Sequence, residues 1–300
     1  MLKTLFTGLL LLFVTLPASA KLNVFACEPE WASLVRELGR DSIEVYSATT
    51  AQQDPHRIQA RPSLIAKMRR ANLLVCTGAD LEIGWLPVLL RRAANPKVQP
   101  GQPGYFEAAL HVTLLDKPTR LDRAEGDIHA AGDPHIHLNP HNILRVAKAL
   151  TNTLTIVDPK NAVRYQQNSD DFLNRWQKAI TRWELQAKPL RNLRVVTQHK
   201  SWAYLLDWLD MQEVARLEPK PGIPPSTAYL GQVLETLQHQ SANAILVANY
   251  QSPKPAKWLQ QRTGIPIITL PYTVGGSDEA NNLFRLFDVT LQQLKAGTRP

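Results

Sequence analysis

Imidazole is the commonest metal ligand because it is largely neutral near pH 7 and binds through an exposed lone pair. The chain holds eight histidines in 300 residues, and four of them lie in one short stretch, DIHAAGDPHIHLNPH at 127–141. These are His129, His135, His137 and His141. Asp127, Gly132, Asp133, Pro134 and Pro140 lace between them, the composition of a ligand-bearing loop. Taken alone the stretch reads equally as a solvated polar loop, so the other histidines must decide. His56 and His135 each close an Asp-Pro-His tripeptide, Asp54-Pro55-His56 and Asp133-Pro134-His135. Proline fixes φ ahead of the imidazole and lowers the entropy lost on ordering the loop. The aspartate can accept from the ring and fix its tautomer. With His199, this makes three imidazoles from three separate segments, and adding one oxygen ligand gives a Zn²⁺-like set.

The elements that must position these residues follow from hydrophobic period and breakers. Strands are expected at 22–27, 43–47, 73–76 and 112–115, with helices at 31–38, 62–70, 81–94 and from Asn139-Pro140 onward. Asp158-Pro159 then opens a stretch without a helix breaker until Pro189. Tyr165, Phe172, Trp176, Ala179, Ile180, Trp183 and Ala187 mark one apolar stripe on it. A single helix of roughly 30 residues, about 45 Å long, is expected there as a strut. Strands at 193–197, 214–217, 244–248 and 266–270 follow, alternating with helices at 202–209, 227–238, 255–262 and 279–294. The fold class is thus α/β, with two doubly wound parallel-sheet lobes joined by one long helix. The expected division is a leader at 1–20, an N-terminal lobe at 21–157, the linking helix at 158–189 and a C-terminal lobe at 190–300. His56, His135 and His199 then fall in loops after strands, the edge where open α/β sheets bind ligands. His111 and His239 fall at ordinary surface positions.

Composition narrows the class. The formal charge of +8 is spread out, without the basic stripe and interleaved aromatics of a nucleic-acid binder. Lys3, an apolar run at 5–16 and Pro17-Ala18-Ser19-Ala20 read as a secretory signal peptide cut after Ala20, leaving a soluble exported chain. Two cysteines in an exported chain are expected to pair.

Gln53-Asp54-Pro55-His56 occurs with Arg61-Pro62-Ser63, and Ala71 to Gly78 with Leu81-Glu82 and Trp85. Asp133-Pro134-His135 with Leu138-Asn139-Pro140, Asp158-Pro159 with Tyr165, and His199 with Tyr204 complete the series. In this order these stretches resemble the metal-specific solute-binding proteins of ABC transporters, the zinc and manganese uptake group. The resemblance spans nearly the whole mature chain and implies two α/β lobes joined by a long helix. It implies metal ligation by His56, His135 and His199, and a membrane permease with its cytoplasmic ATPase as partner. The family often takes a fourth ligand, a carboxylate, from the loop after a late strand of the second lobe. Here that loop, 270–276, holds no carboxylate before Asp278. Glu30 is the expected replacement, with His129 or a water as alternatives; plainer readings make Glu30 a helix first-turn carboxylate and His129 a mobile surface residue. Three imidazoles favour Zn²⁺ over Mn²⁺, and His129, His137 and His141 are expected to form a weaker collecting site.

In a sheet ordered 2-1-3 the first and third strands are neighbours, which places Cys27 and Cys76 close enough for a disulfide. The leading expectation is a monomeric periplasmic zinc-capture protein. A secreted zinc hydrolase would need a general base such as the glutamate of an H-E-x-x-H helix, and no such motif occurs. A metal-binding adhesin is the third reading.

Overall fold

The computed structural model describes residues 20–118, 126 and 129–298. The expected leader, save Ala20, lies outside the described residues, as does Asp127. Among the described residues no helix is long and apolar enough to cross a membrane.

Two four-stranded parallel sheets share one order. In the first, β1 (Leu22–Ala26), β2 (Ile43–Ser47), β3 (Leu73–Cys76) and β4 (Tyr105–Glu107) run β2-β1-β3-β4. In the second, β5 (Arg194–Thr197), β6 (Gln212–Arg216), β7 (Ala244–Ala248) and β8 (Ile267–Leu270) run β6-β5-β7-β8. The rhythm shared by the two halves of the sequence is therefore a shared topology. β3 and β7 are buried at every position, as their unbroken apolar runs LLVC and AILVA require of strands covered on both faces.

Alternation along β1 divides the layers. Val24 and Ala26 join a core formed with α1 (Pro29–Gly39), α4 (Pro140–Val157), α5 (Ala162–Ala187) and α9 (Leu283–Gly297). Phe25 and Cys27 face the other way, onto α2 (Pro62–Arg70) and α3 (Leu86–Ala93). In the second lobe α6 (Ala203–Leu209) packs on the shared core. There α7 (Thr227–His239) and α8 (Lys254–Thr263) cover the outer face over Val196, Ile245 and Val247.

The strut α5 has 26 residues, about 39 Å at 1.5 Å per residue, with 3₁₀ turns at Pro159–Asn161 and Lys188–Leu190. The expected stripe is its buried face. That face packs on α1 and α4 of one lobe and on α9 of the other. Trp176 and Trp183 stack with Phe172 and Phe287 respectively, so aromatic contacts carry the strut across the join.

One expected strand is absent. Val112–Leu115 pairs with no sheet, and the fourth strand is Tyr105–Glu107. The apolar residues at 112–115 pack half-buried on the shared core instead. Their backbone is satisfied elsewhere: the Leu115 amide donates to the Tyr204 hydroxyl (3.0 Å) and the Leu115 carbonyl accepts from Asp133 N–H (2.8 Å). Side-chain burial without a ladder gives the same sequence signature as a short strand.

Cys27 follows β1 and Cys76 ends β3. Because these strands are neighbours, the two Cα atoms lie 4.8 Å apart and the cysteines form a disulfide.

Candidate metal centre

Each Asp-Pro-His tripeptide folds into the same small device. Asp54 Oδ1 accepts the backbone N–H of His56 (3.0 Å) and also the ring Nδ1–H of His56 (2.7 Å). Asp133 Oδ1 does the same for His135, at 2.9 and 2.8 Å. One carboxylate oxygen thus closes a tight turn and fixes the tautomer, leaving each Nε2 with its lone pair outward. The Trp85 indole donates to the Pro55 carbonyl (2.9 Å) and ties the first device to the start of α3. Gly132 is required beside the second: its φ is +126°, and a Cβ there would stand 2.7 Å from the Leu115 carbonyl oxygen.

His199 follows β5 and is oriented by a carboxylate distant in sequence. Its Nδ1–H donates to Glu218 Oε2 at 2.6 Å. The same oxygen accepts the Gly222 N–H (2.8 Å), and the Gly222 carbonyl accepts from Arg57 Nη2 of the first lobe (3.2 Å). Glu218 opens the segment Glu218-Pro219-Lys220-Pro221, and its role went unread in the sequence. An acidic residue just past a strand next to the histidine strand was the available signal.

The structure brings His56, His135 and His199 together, with one ligand atom of each within 4.8 Å of the others. His135 Nε2 is buried and has no hydrogen-bond partner, an orphan that a cation would satisfy. His129 joins from the histidine-rich loop, its Nε2 3.2 Å from His56 Nε2. Two nitrogens on a tetrahedral ion with bonds of about 2.0–2.1 Å stand roughly 3.3 Å apart, so this spacing fits an edge of a Zn²⁺ polyhedron.

Burial, reinforced by the neighbouring imidazoles, pushes His129 down to about 3. Burial lowers His135 to about 4 against the opposing pull of Asp133. Both rings are therefore neutral and ready to ligate across the physiological range.

Glu30 is not gathered with the three imidazoles. It is 1% exposed in the first turn of α1, where its Oε2 accepts the Thr273 hydroxyl and its Oε1 lies 3.2 Å from His137 Nδ1. The carboxylate is held by these partners and by the favourable helix N-terminus, away from the imidazole cluster. The expected collecting site is likewise divided. His137 is fully buried and donates from Nε2 to the Tyr272 carbonyl (2.9 Å), whereas His141 sits on the surface against Glu184 of the strut (2.9 Å). Only His129 of the three approaches the cluster.

Two further buried carboxyls lie nearby. Glu82 accepts the amides of Thr77 (2.8 Å) and Gly78 (3.1 Å), and Glu28 Oε2 accepts the Thr77 hydroxyl (3.1 Å). Burial drives Glu82 up to about 7, and burial with the charges of Glu82 and Glu30 drives Glu28 upward. A carboxyl whose pKa rises on folding favours the native state below its unfolded value and loses that contribution as pH climbs through the folded value. Glu28→Gln is therefore expected to raise the midpoint of thermal unfolding by a few degrees at pH 8 and to leave it nearly unchanged at pH 5. Equal shifts at the two pH values would contradict an ionisation origin.

Residues 24–297 match the family described as ZnuA, zinc-uptake complex component A periplasmic. The manganese ABC transporter substrate-binding lipoprotein PsaA of Streptococcus pneumoniae is 24% identical over 293 residues, covering 93% of this chain and 90% of that protein. The metal ABC transporter substrate-binding lipoprotein FimA of Streptococcus parasanguinis is 25% identical over 262 residues, covering 85% and 81%. Among solved structures, a crystal structure of ZnuA superposes with a TM-score of 0.76 at 21% identity, covering 93% of this chain and all of that one. The Mn²⁺ complex of FpvC from Pseudomonas aeruginosa gives 0.74 at 20% identity, covering 92% and 99%. Two parallel-sheet lobes, a spanning helix and a match over nearly the full length agree: the chain belongs to the ZnuA family of metal-binding substrate-binding proteins of ABC transporters, which are not enzymes.

Proposed function

We propose that the protein is a periplasmic zinc-capture component. It binds Zn²⁺ between its lobes and delivers the ion to a membrane permease driven by a cytoplasmic ATPase. In this reading residues 1–20 direct export, the lobes span 21–157 and 190–300, the helix at 158–189 joins them, and the protein acts as a monomer. His56, His129, His135 and His199 are the ligands. The observation that carries the reading is the donor set: the cluster offers imidazole nitrogens, with carboxylates holding the Nδ1 side of three rings. Nitrogen-rich sites suit Zn²⁺, whereas carboxylate-rich sites suit Mn²⁺.

Elemental analysis of the purified protein, followed by competition between Zn²⁺ and Mn²⁺, tests it. One equivalent of zinc and a preference for Zn²⁺ are expected. Preferential retention of Mn²⁺ would overturn the zinc assignment. Retained zinc binding with His56, His135 and His199 all replaced by alanine would overturn the site.

A further inference from the structure

The donor atoms of Cys27, Cys76 and Glu82 all lie within 4.8 Å of one another, and both sulfurs are fully buried. Among the described residues this gathering shares no member with the imidazole cluster. The disulfide occupies both sulfurs in the oxidised protein. The carboxyls beside it are costly to the fold. Glu82 and Glu28 are each 2% exposed; burial drives both upward, and the Glu82 charge drives Glu28 further. Glu28 Oε1 is also buried without a hydrogen-bond partner. A disulfide carries no proton to donate and no charge, so it does not offset that burial.

Reduction changes the donor set. Two thiols replace the bridge, and thiolates with carboxylate oxygens are a donor set that Zn²⁺ takes. Two thiolates on a tetrahedral zinc, with bonds of about 2.3 Å, stand roughly 3.8 Å apart. Sulfurs borne on Cα atoms 4.8 Å apart reach that spacing by side-chain rotation. The carboxyls are already oriented. Glu82 accepts the Thr77 amide on one oxygen and the Gly78 amide on the other, Glu28 Oε2 accepts the Thr77 hydroxyl, and the Trp31 indole donates to that hydroxyl (2.8 Å). These bonds leave each Glu82 oxygen a further lone pair and supply the outer partners that hold a ligating carboxylate in place. We propose that the reduced protein binds a second Zn²⁺ on Cys27, Cys76 and Glu82, with Glu28 Oε1 as the fourth donor. The bridge and this ion are then alternative occupants of one buried site, and oxidation state sets how many ions the chain carries. A phosphine reduces the bridge: the S–S bond breaks, phosphorus takes the oxygen of a water, and the two protons of that water go to the sulfurs. Zinc binds as those protons leave.

Unfolding in urea with tris(2-carboxyethyl)phosphine, then anaerobic refolding in its presence, supplies the reduced chain, verified by titration of both thiols. Zinc content is expected to rise from one ion per chain in the oxidised protein to two in the reduced protein. Co²⁺ in place of zinc is expected to show a thiolate-to-metal charge-transfer band in the near ultraviolet only after reduction. Glu82→Gln is expected to weaken the second ion at least tenfold. Cys27→Ser/Cys76→Ser is expected to hold one ion and show no such band. With His56, His135 and His199 all replaced by alanine, the reduced chain is expected to keep one ion and the oxidised chain none. That comparison separates this site from the imidazole centre without relying on the stability of the cysteine variant. Reduced wild-type protein that stays at one ion without the charge-transfer band overturns the proposal, as does a second ion that survives Cys27→Ser/Cys76→Ser.

Discussion

Replacing His135 by alanine is expected to weaken zinc binding by more than about 100-fold, the upper end of the loss caused by removing a mere orienting partner of a ligand. His135 is 2% exposed, and its Nε2 has no other use in the fold. His129→Ala is expected to cost roughly 10- to 100-fold, because a water can take the vacated corner of the polyhedron. Glu30→Gln is expected to leave affinity within about threefold, since its oxygens serve Thr273 and His137 rather than the cluster. Competition against a chromophoric zinc chelator measures all three. An ordering in which Glu30→Gln is the more damaging would return the fourth position to the carboxylate. Acidity provides a second check on the same rings. The unfolded chain protonates its histidines near pH 6.5, while folded His135 resists to about 4 and His129 to about 3. Metal-free protein must therefore lose part of its stability as pH falls below about 6.5, because the unfolded state binds the extra protons.

Loss of the Cys27–Cys76 disulfide is the second large effect. The bridge closes a loop with a sequence separation of 49. Chain-entropy arguments assign such a loop about 4 kcal/mol, a large part of the stability of an ordinary domain. The double variant Cys27→Ser/Cys76→Ser is expected to fall by that order in urea unfolding, while zinc stoichiometry stays at one because neither sulfur reaches the imidazoles. Equal counts of free thiols in denatured protein before and after reduction would remove the premise.

What the sequence made legible, and what it hid, divides along the range of the interactions. The Asp-Pro-His devices were readable because every atom of each lies within three residues. The strut was readable because its stripe repeats along one helix. Glu218 escaped because its pairing with His199 spans 19 residues and two strands, and no local pattern announces it. Chain order places Glu30 near the cleft edge, while the helix start and the Thr273 hydroxyl, neither legible in a short window, decide where its carboxylate points. The segment at 112–115 was misread because burial on a shared core imitates the alternation of a strand. Tertiary partners, invisible to any short window, settle each of these.

The carboxylates behind His56, His135 and His199 have one more implication. Asp54 and His56 belong to the first lobe, as do Asp133 and His135, whereas His199 and Glu218 both belong to the second. No ring borrows its orienting partner from across the cleft. Any parting of the lobes would leave each of these tautomers and its outward lone pair in place, while changing the donor-to-donor distances and the burial that depresses His129 and His135. Each half carries the orientation of its own rings, so the grip on an ion is set by how closely the two halves approach.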